Sequence, residues 1–197
     1  MLKDKLSKYK IILASGSPRR QQFFKDLDLE FEIRLKDIEE IYPHDLQGVG
    51  ITNYLAELKA NAFDGEIKEN EILVSSDTIV WLDNKALGKP KDYDDAFVIL
   101  KSLSNTTHEV ITSVCFKTID KTDTIFEVTK VTFNELSDEA IRYYLDNYKP
   151  FDKAGSYGVQ DFIGMVGIPR IEGSFFTVMG LPVHSVYEKL VPFLVNN

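Results

Sequence analysis

The sequence predicts an α/β fold, because short apolar runs of strand length alternate along it with helical periodicities opened by capping residues. Glycine and proline punctuate the junctions, as the connections of such a fold require. At 197 residues with 44% apolar content, the chain can bury the core of one large domain or two small lobes. No repeat, low-complexity tract or composition break divides it, so residues 1–197 read as a single domain.

The elements follow in order. Residues 10–14 make an apolar strand, and Ser17 is a favoured N-cap ahead of Pro18, which fits a first helical position because its missing N–H is no loss there. A helix over 18–27 follows, then a short strand near 30–35, a helix over 52–64 and a strand over 71–82. Asp92 caps a helix whose apolar face is Ala96, Ile99, Leu100 and Leu103. Strands over Thr107–Thr118 and about 123–133 come next. Ser137 caps a helix with Asp138 and Glu139 in its first turn and Ile141, Tyr144 and Leu145 facing inward. The glycines from Gly155 to Gly180 predict short strands and tight turns around 156–179, and Pro182 opens the final helix. The acidic, turn-rich stretch Asp37–Gly50 is the candidate mobile loop.

Charge and cysteine usage narrow the function. A formal net charge of -8 argues against nucleic-acid binding, which needs a basic face, and leaves an anionic small molecule as the better partner for a local basic pocket. Cys115 stands alone in an apolar run, so it reads as a buried core thiol and no internal disulfide can form. The apolar run after the charged first ten residues spans only Ile11–Ala14, too short for a signal segment or a membrane span, which points to the cytoplasm. His44, His108 and His184 are too scattered for a zinc set. Serine-hydrolase elbow, Walker-type loop and dinucleotide glycine fingerprint are all absent.

Several segments carry chemistry. Leu13-Ala14-Ser15-Gly16-Ser17-Pro18-Arg19-Arg20 runs a strand into a helix N-terminus beside two guanidiniums, a corner suited to polyphosphate; it also fits an ordinary turn with surface arginines. Asp77 lies inside the strand Ser75-Ser76-Asp77-Thr78-Ile79-Val80, an expensive place for a carboxylate unless it has a partner, a metal or backbone donors at a bend. In Gly88-Lys89-Pro90, Lys89 could reach a phosphate or simply be solvated. The charges Asp37, Glu39, Glu40, Glu57 and Lys59 read as a solvated face, although Glu40 beside Asp77 would make a two-carboxylate oxygen site of the sort Mg²⁺ prefers. Gln160 ends the glycine-bearing stretch Asp152-Lys153-Ala154-Gly155-Ser156-Tyr157-Gly158-Val159-Gln160, where its amide could read a base edge or close a polar turn.

Together with Thr107-His108-Glu109-Val110 and Gly180-Leu181-Pro182, these motifs resemble the Maf family, in the family's order and over nearly the whole chain. The resemblance implies an α/β fold with a mixed central sheet in two lobes and the active site in the cleft between them, similar to inosine triphosphate pyrophosphatases. It implies a nucleoside triphosphate pyrophosphatase, cutting between the α- and β-phosphates with a divalent cation, Mg²⁺ or Mn²⁺. Carried over by motif, Ser15, Arg19 and Arg20 fall on the phosphate-binding signature, Glu40 on the loop glutamate, Lys59 on the helix lysine, Asp77 on the proton acceptor and Lys89 on the second lysine. Arg19, Thr78 and Gln160 are similar to the dTTP/UTP branch. Thymine and uracil present an acceptor, donor, acceptor edge that a glutamine amide with neighbouring N–H groups can match. Asn105 departs from the family's usual glycine, and Thr177 from its common asparagine.

The expected site is therefore Asp77, Lys89 and Arg20 for catalysis, Ser15, Arg19, Lys59, Thr78 and Gln160 for substrate, and Glu40 with Asp77 for the metal. The resemblance also allows a homodimer and a role in septum formation. Two rival readings stand beside it: a pyrophosphatase for 7-methyl-GTP or a modified purine, and a nucleotide-binding regulator of septum formation that does not turn over.

Overall fold

A computed structural model describes residues 6–195, with side chains described as far as residue 190. The elements in order are β1 (Lys10–Leu13), α1 (Pro18–Asp26), β2 (Phe31–Ile33), α2 (Val49–Asn61), β3 (Glu71–Leu82), β4 (Lys85–Leu87) and α3 (Tyr93–Leu103). They continue with β5 (Thr107–Lys117), β6 (Thr122–Thr132), α4 (Asp138–Tyr148), α5 (Phe162–Gly167), β7 (Arg170–Glu172), α6 (Phe175–Val178) and α7 (Val183–Val195). The fold is α/β, with a seven-stranded mixed sheet in the order β2-β1-β3-β5-β6-β7 and β4 paired to β3. The chain forms two compact units. The first takes the chain up to Asp77, Thr112–Glu127 and the segment from Gly180 onward; the second takes Thr78–Ile111 and Val128–Met179.

In the first unit β1 pairs in parallel with β2 and β3, in a register that sets Ile11 against Phe31 and Ile72. Parallel neighbours need crossovers, which α1 and α2 supply. Ile11, Ile12 and Leu13 are all buried, as the continuous apolar run of a parallel strand covered on both faces requires. Ala56 and Ala60 of α2 let that helix lie close against Leu73, Ile12 and Cys115, the last a buried thiol as its sequence setting predicts. Beside them, Arg34 grips the buried Glu71 through two hydrogen bonds of 2.6 and 2.8 Å and also reaches Glu32 at 2.6 Å.

In the second unit β3 turns into β4 through Asp83 and Asn84, both left-handed at φ 48° and 60°, the pairing that a two-residue hairpin turn favours. Its core joins Leu100 and Leu103 of α3 with Ile141, Tyr144 and Leu145 of α4, Phe133, Tyr157 and Ile163. Each fully buried leucine or isoleucine there contributes about 1.5–3 kcal/mol. The caps are as expected: Asp92 accepts from Asp95 N at 2.8 Å, and Ser137 from Ala140 N at 3.1 Å. Asn105 has φ 57°, a conformation asparagine tolerates, so it can replace a glycine.

Ser17 occupies the N-cap of α1 as expected, with its hydroxyl making no capping bond. Two expectations need correcting. Helix α2 begins at Val49 rather than 52, so the irregular acidic segment ends sooner. The region 156–179 is mainly short helices, α5 and α6, with one strand, β7. Gly164 and Gly167 mark close packing rather than strand turns: a Cβ on Gly164 would meet Val159 O at 2.1 Å, and one on Gly167 would meet Leu136 Cδ2 at 2.7 Å.

Candidate active site

Side chains alternate along β3, and the alternation sorts its polar residues. Leu73, Ser75 and Asp77 share one face; Leu73 packs on α2, and the Ser75 hydroxyl donates to Ala56 O at 2.6 Å. Two residues further, Asp77 meets Lys59 from the last turn of α2, with Nζ 2.6 Å from Oδ1. The same ammonium lies 3.0 Å from Glu40 Oε1, in the irregular segment between β2 and α2. Side-chain exposure falls from 47% at Glu40 to 16% at Lys59 and 8% at Asp77, so the node runs from solvent into the protein. Of the neighbouring glutamates, Glu40 rather than Glu39 forms the pair with Lys59.

The opposite face and the backbone of β3 organise Arg20. Its Nη1 donates to Ser76 O at 2.8 Å and its Nε to Gly180 O at 2.7 Å, with Ser15 Oγ 3.4 Å away. The Ser76 hydroxyl also points to Gly180 O, at 3.4 Å. Ser15 itself is buried, and its hydroxyl accepts from Ser17 N at 3.3 Å. Burial pulls the Arg20 guanidinium down to about 10; Asp77 and Glu40 counter that, while Arg19 reinforces it through like-charge repulsion. Arg20 therefore remains charged at neutral pH.

The first unit thus gathers five expected residues, Ser15, Arg20, Glu40, Lys59 and Asp77, with Arg19 near enough to repel Arg20. Thr78, Lys89 and Gln160 belong to the second unit. Thr78 follows Asp77 on β3, so strand alternation turns its side chain to the other face. Lys89 and Gln160 are exposed. Gly155 N donates to Gly88 O at 3.0 Å, tying the Lys89 loop to the glycine-bearing segment that ends at Gln160. Sequence reasoning missed the two carbonyl oxygens that hold Arg20, because backbone acceptors have no residue signature; Gly180, at φ 100°, was the available hint.

Among the described residues no three His, Cys, Asp or Glu side chains converge as a metal cage. Two carboxylates on one ammonium remain, a donor set that fits a hard cation sharing its sphere with water and phosphate. No described helix is long and apolar enough to cross a membrane.

A fold of this class, with a strand-borne carboxylate beside a strand-to-helix corner bearing two arginines, now meets its relatives. The chain belongs to the Maf family: the match to Maf-like protein covers residues 10–193. It is 70% identical over 190 residues to the dTTP/UTP pyrophosphatase of Flavobacterium johnsoniae, covering 96% of this chain and 98% of that one. It is 68% identical to the dTTP/UTP pyrophosphatase of Flavobacterium psychrophilum, covering 97% and 98%. The corresponding protein of Christiangramia forsetii, also named dTTP/UTP pyrophosphatase, is 48% identical over 98% and 99% of the two chains.

Proposed function

We propose that the protein is a nucleoside triphosphate pyrophosphatase that hydrolyses dTTP and UTP to the monophosphate and pyrophosphate. The carrying observation is the node at Asp77, where a nearly buried carboxylate, an ammonium and a second carboxylate meet within 3.0 Å beside a guanidinium. The full-length relatives named dTTP/UTP pyrophosphatase supply the substrate.

Such a reaction needs positioning and neutralisation of charge more than covalent chemistry. Arg19, Arg20, Lys59 and Lys89 are the proposed contacts for the triphosphate, with Ser15 as a neutral donor. Lys59 engages Oδ1 of Asp77, which leaves Oδ2 to act in one of two ways, receiving the proton of the attacking water or holding the metal that lowers that water's pKa. Glu40 and Asp77 would hold Mg²⁺ or Mn²⁺, which when bound supplies Lewis-acid polarisation of the phosphate oxygens. Gln160 and Thr78 are the proposed contacts for the base, the glutamine amide offering a donor and an acceptor to the 4-oxo, 3-imino edge. The two compact units act together as one Maf domain.

Incubation with dTTP, UTP, dCTP, GTP and 7-methyl-GTP in Mg²⁺, with pyrophosphate measured, tests the reading. Highest release from dTTP and UTP, abolished by chelation and restored by added Mg²⁺, is expected. Preference for 7-methyl-GTP, or silence across the panel, overturns it.

A further inference from the structure

Gln160 is displayed on a turn whose shape is governed by a residue outside the family motifs. Asp161 N donates to Gly158 O at 3.0 Å, closing a four-residue turn with Val159 and Gln160 at its corners. The Tyr144 hydroxyl bridges the same two ends. It accepts from Gly158 N at 3.0 Å and donates to Asp161 Oδ2 at 2.7 Å.

Tyr144 is itself immobilised. Its ring is fully buried in the second unit's core, where α4 packs against α3 and α5. Burial and the Asp161 carboxylate both raise its phenol above the ordinary value, so the hydroxyl keeps its proton and its role as donor at working pH. The turn has no slack around it. A Cβ on Gly158 would meet Asp161 Oδ2 at 2.4 Å and Gln160 Nε2 at 2.9 Å, and one on Gly164 would meet Val159 O at 2.1 Å. Lys153, 3.9 Å from Asp161 Oδ2, balances the carboxylate's charge. The outcome is an exposed glutamine on a turn pinned at both ends from beneath.

Pinning matters because an amide distinguishes a 4-oxo, 3-imino edge from a 4-amino, 3-aza edge only when it cannot shift or swing to present its other group. Building on the proposed contact between Gln160 and the base, we infer that Tyr144 is a positioning residue that locks the 158–161 turn and so sets discrimination between dTTP and dCTP. Tyr144→Phe keeps the ring and its packing and removes only the bridge, leaving a buried N–H and a carboxylate to find other partners.

The test measures kcat and KM for dTTP and dCTP with wild type, Tyr144→Phe, Gln160→Ala and the double variant, each first shown to melt cooperatively. Tyr144→Phe is expected to hold kcat within about twofold while KM for dTTP rises about tenfold, the scale of one hydrogen bond. The dTTP to dCTP ratio of kcat/KM should fall by a similar factor, and the double variant should be no less selective than Gln160→Ala alone. Equal losses on both nucleotides, an unchanged ratio in an active variant, or additive losses in the double variant overturn the lock while leaving the pyrophosphatase reading intact. A wild-type protein that releases no pyrophosphate ends both.

Discussion

Lys59 Nζ lies 2.6 Å from Asp77 Oδ1, joining the last turn of α2 to β3 where the strand is nearly closed to solvent. This contact turns an unfavourable strand carboxylate into a tolerable one. The second tie of Lys59, to the more exposed Glu40, extends the pairing toward water. The node is thus both a structural pair and the chemical centre proposed for the protein.

The two partners should separate these roles. Lys59→Met strands a carboxylate that is 8% exposed and should cost about 3 kcal/mol, read as a lower urea midpoint. Asp77→Asn removes the charge, keeps the shape, and should lower pyrophosphate release by about 10² or more while costing less stability. An Asp77→Asn protein with near-normal turnover would remove Asp77 from the chemistry.

Arg20 bridges two buried segments through Ser76 O and Gly180 O, so its geometry matters as well as its charge. A lysine in its place retains the charge but cannot reach both carbonyls. Arg20→Lys should therefore lower stability by about 1–3 kcal/mol, the cost of a stranded buried acceptor, and raise KM for dTTP. Thermal melting and steady-state kinetics check the two effects; unchanged melting would mean that the bridge contributes nothing.

Acid should attack the Arg34 to Glu71 clamp. Arg34, aided by Lys68 N, holds the Glu71 carboxyl below the usual carboxylate range. With the folded value depressed, the clamp's contribution is complete above the ordinary carboxylate pKa and disappears as pH falls through the folded one. Glu71→Gln should lower stability at neutral pH and flatten the acid limb of the pH–stability curve. A limb as steep as that of the wild type would disprove the assignment.

His108 gives a separate signal at milder pH. Burial takes its imidazole down to about 4, with Nε2 2.7 Å from the Tyr157 hydroxyl and Nδ1 without a hydrogen-bond partner. Between about 6.5 and 4 the unfolded chain binds a proton that the folded protein refuses, so stability falls as pH is lowered through this window, by about 3 kcal/mol in all. Urea titrations at pH 7 and pH 4.5 should show a smaller difference for His108→Gln than for the wild type. Equal differences would show that another group carries the loss.

Much of this architecture is legible locally. Pro18 and the caps Asp92 and Ser137 start their helices as their side-chain chemistry demands. The faces led by Leu100 and Ile141 are buried because their spacing follows the helical period. Glycines misled in 156–179, since Gly164 is required by the close backbone of Val159 at the start of a short helix and Gly167 by Leu136 and Phe133, distant along the chain, rather than by strand turns. Tyr144 shows the same limit: its spacing announces a core residue, but nothing local announces that its hydroxyl bridges Gly158 and Asp161.

By itself the sequence determined most of the order of strands and helices up to α4, the family and the types of side chain available for phosphate chemistry, because these rest on short-range periodicity, capping and motif. Only the tertiary structure decided that Lys59 meets Asp77, that Arg20 hangs from two backbone carbonyls, and that one tyrosine pins the turn of Gln160. Those outcomes depend on groups brought together across 14 to 160 positions of chain, where burial and hydrogen-bond satisfaction, rather than local preference, select the partner.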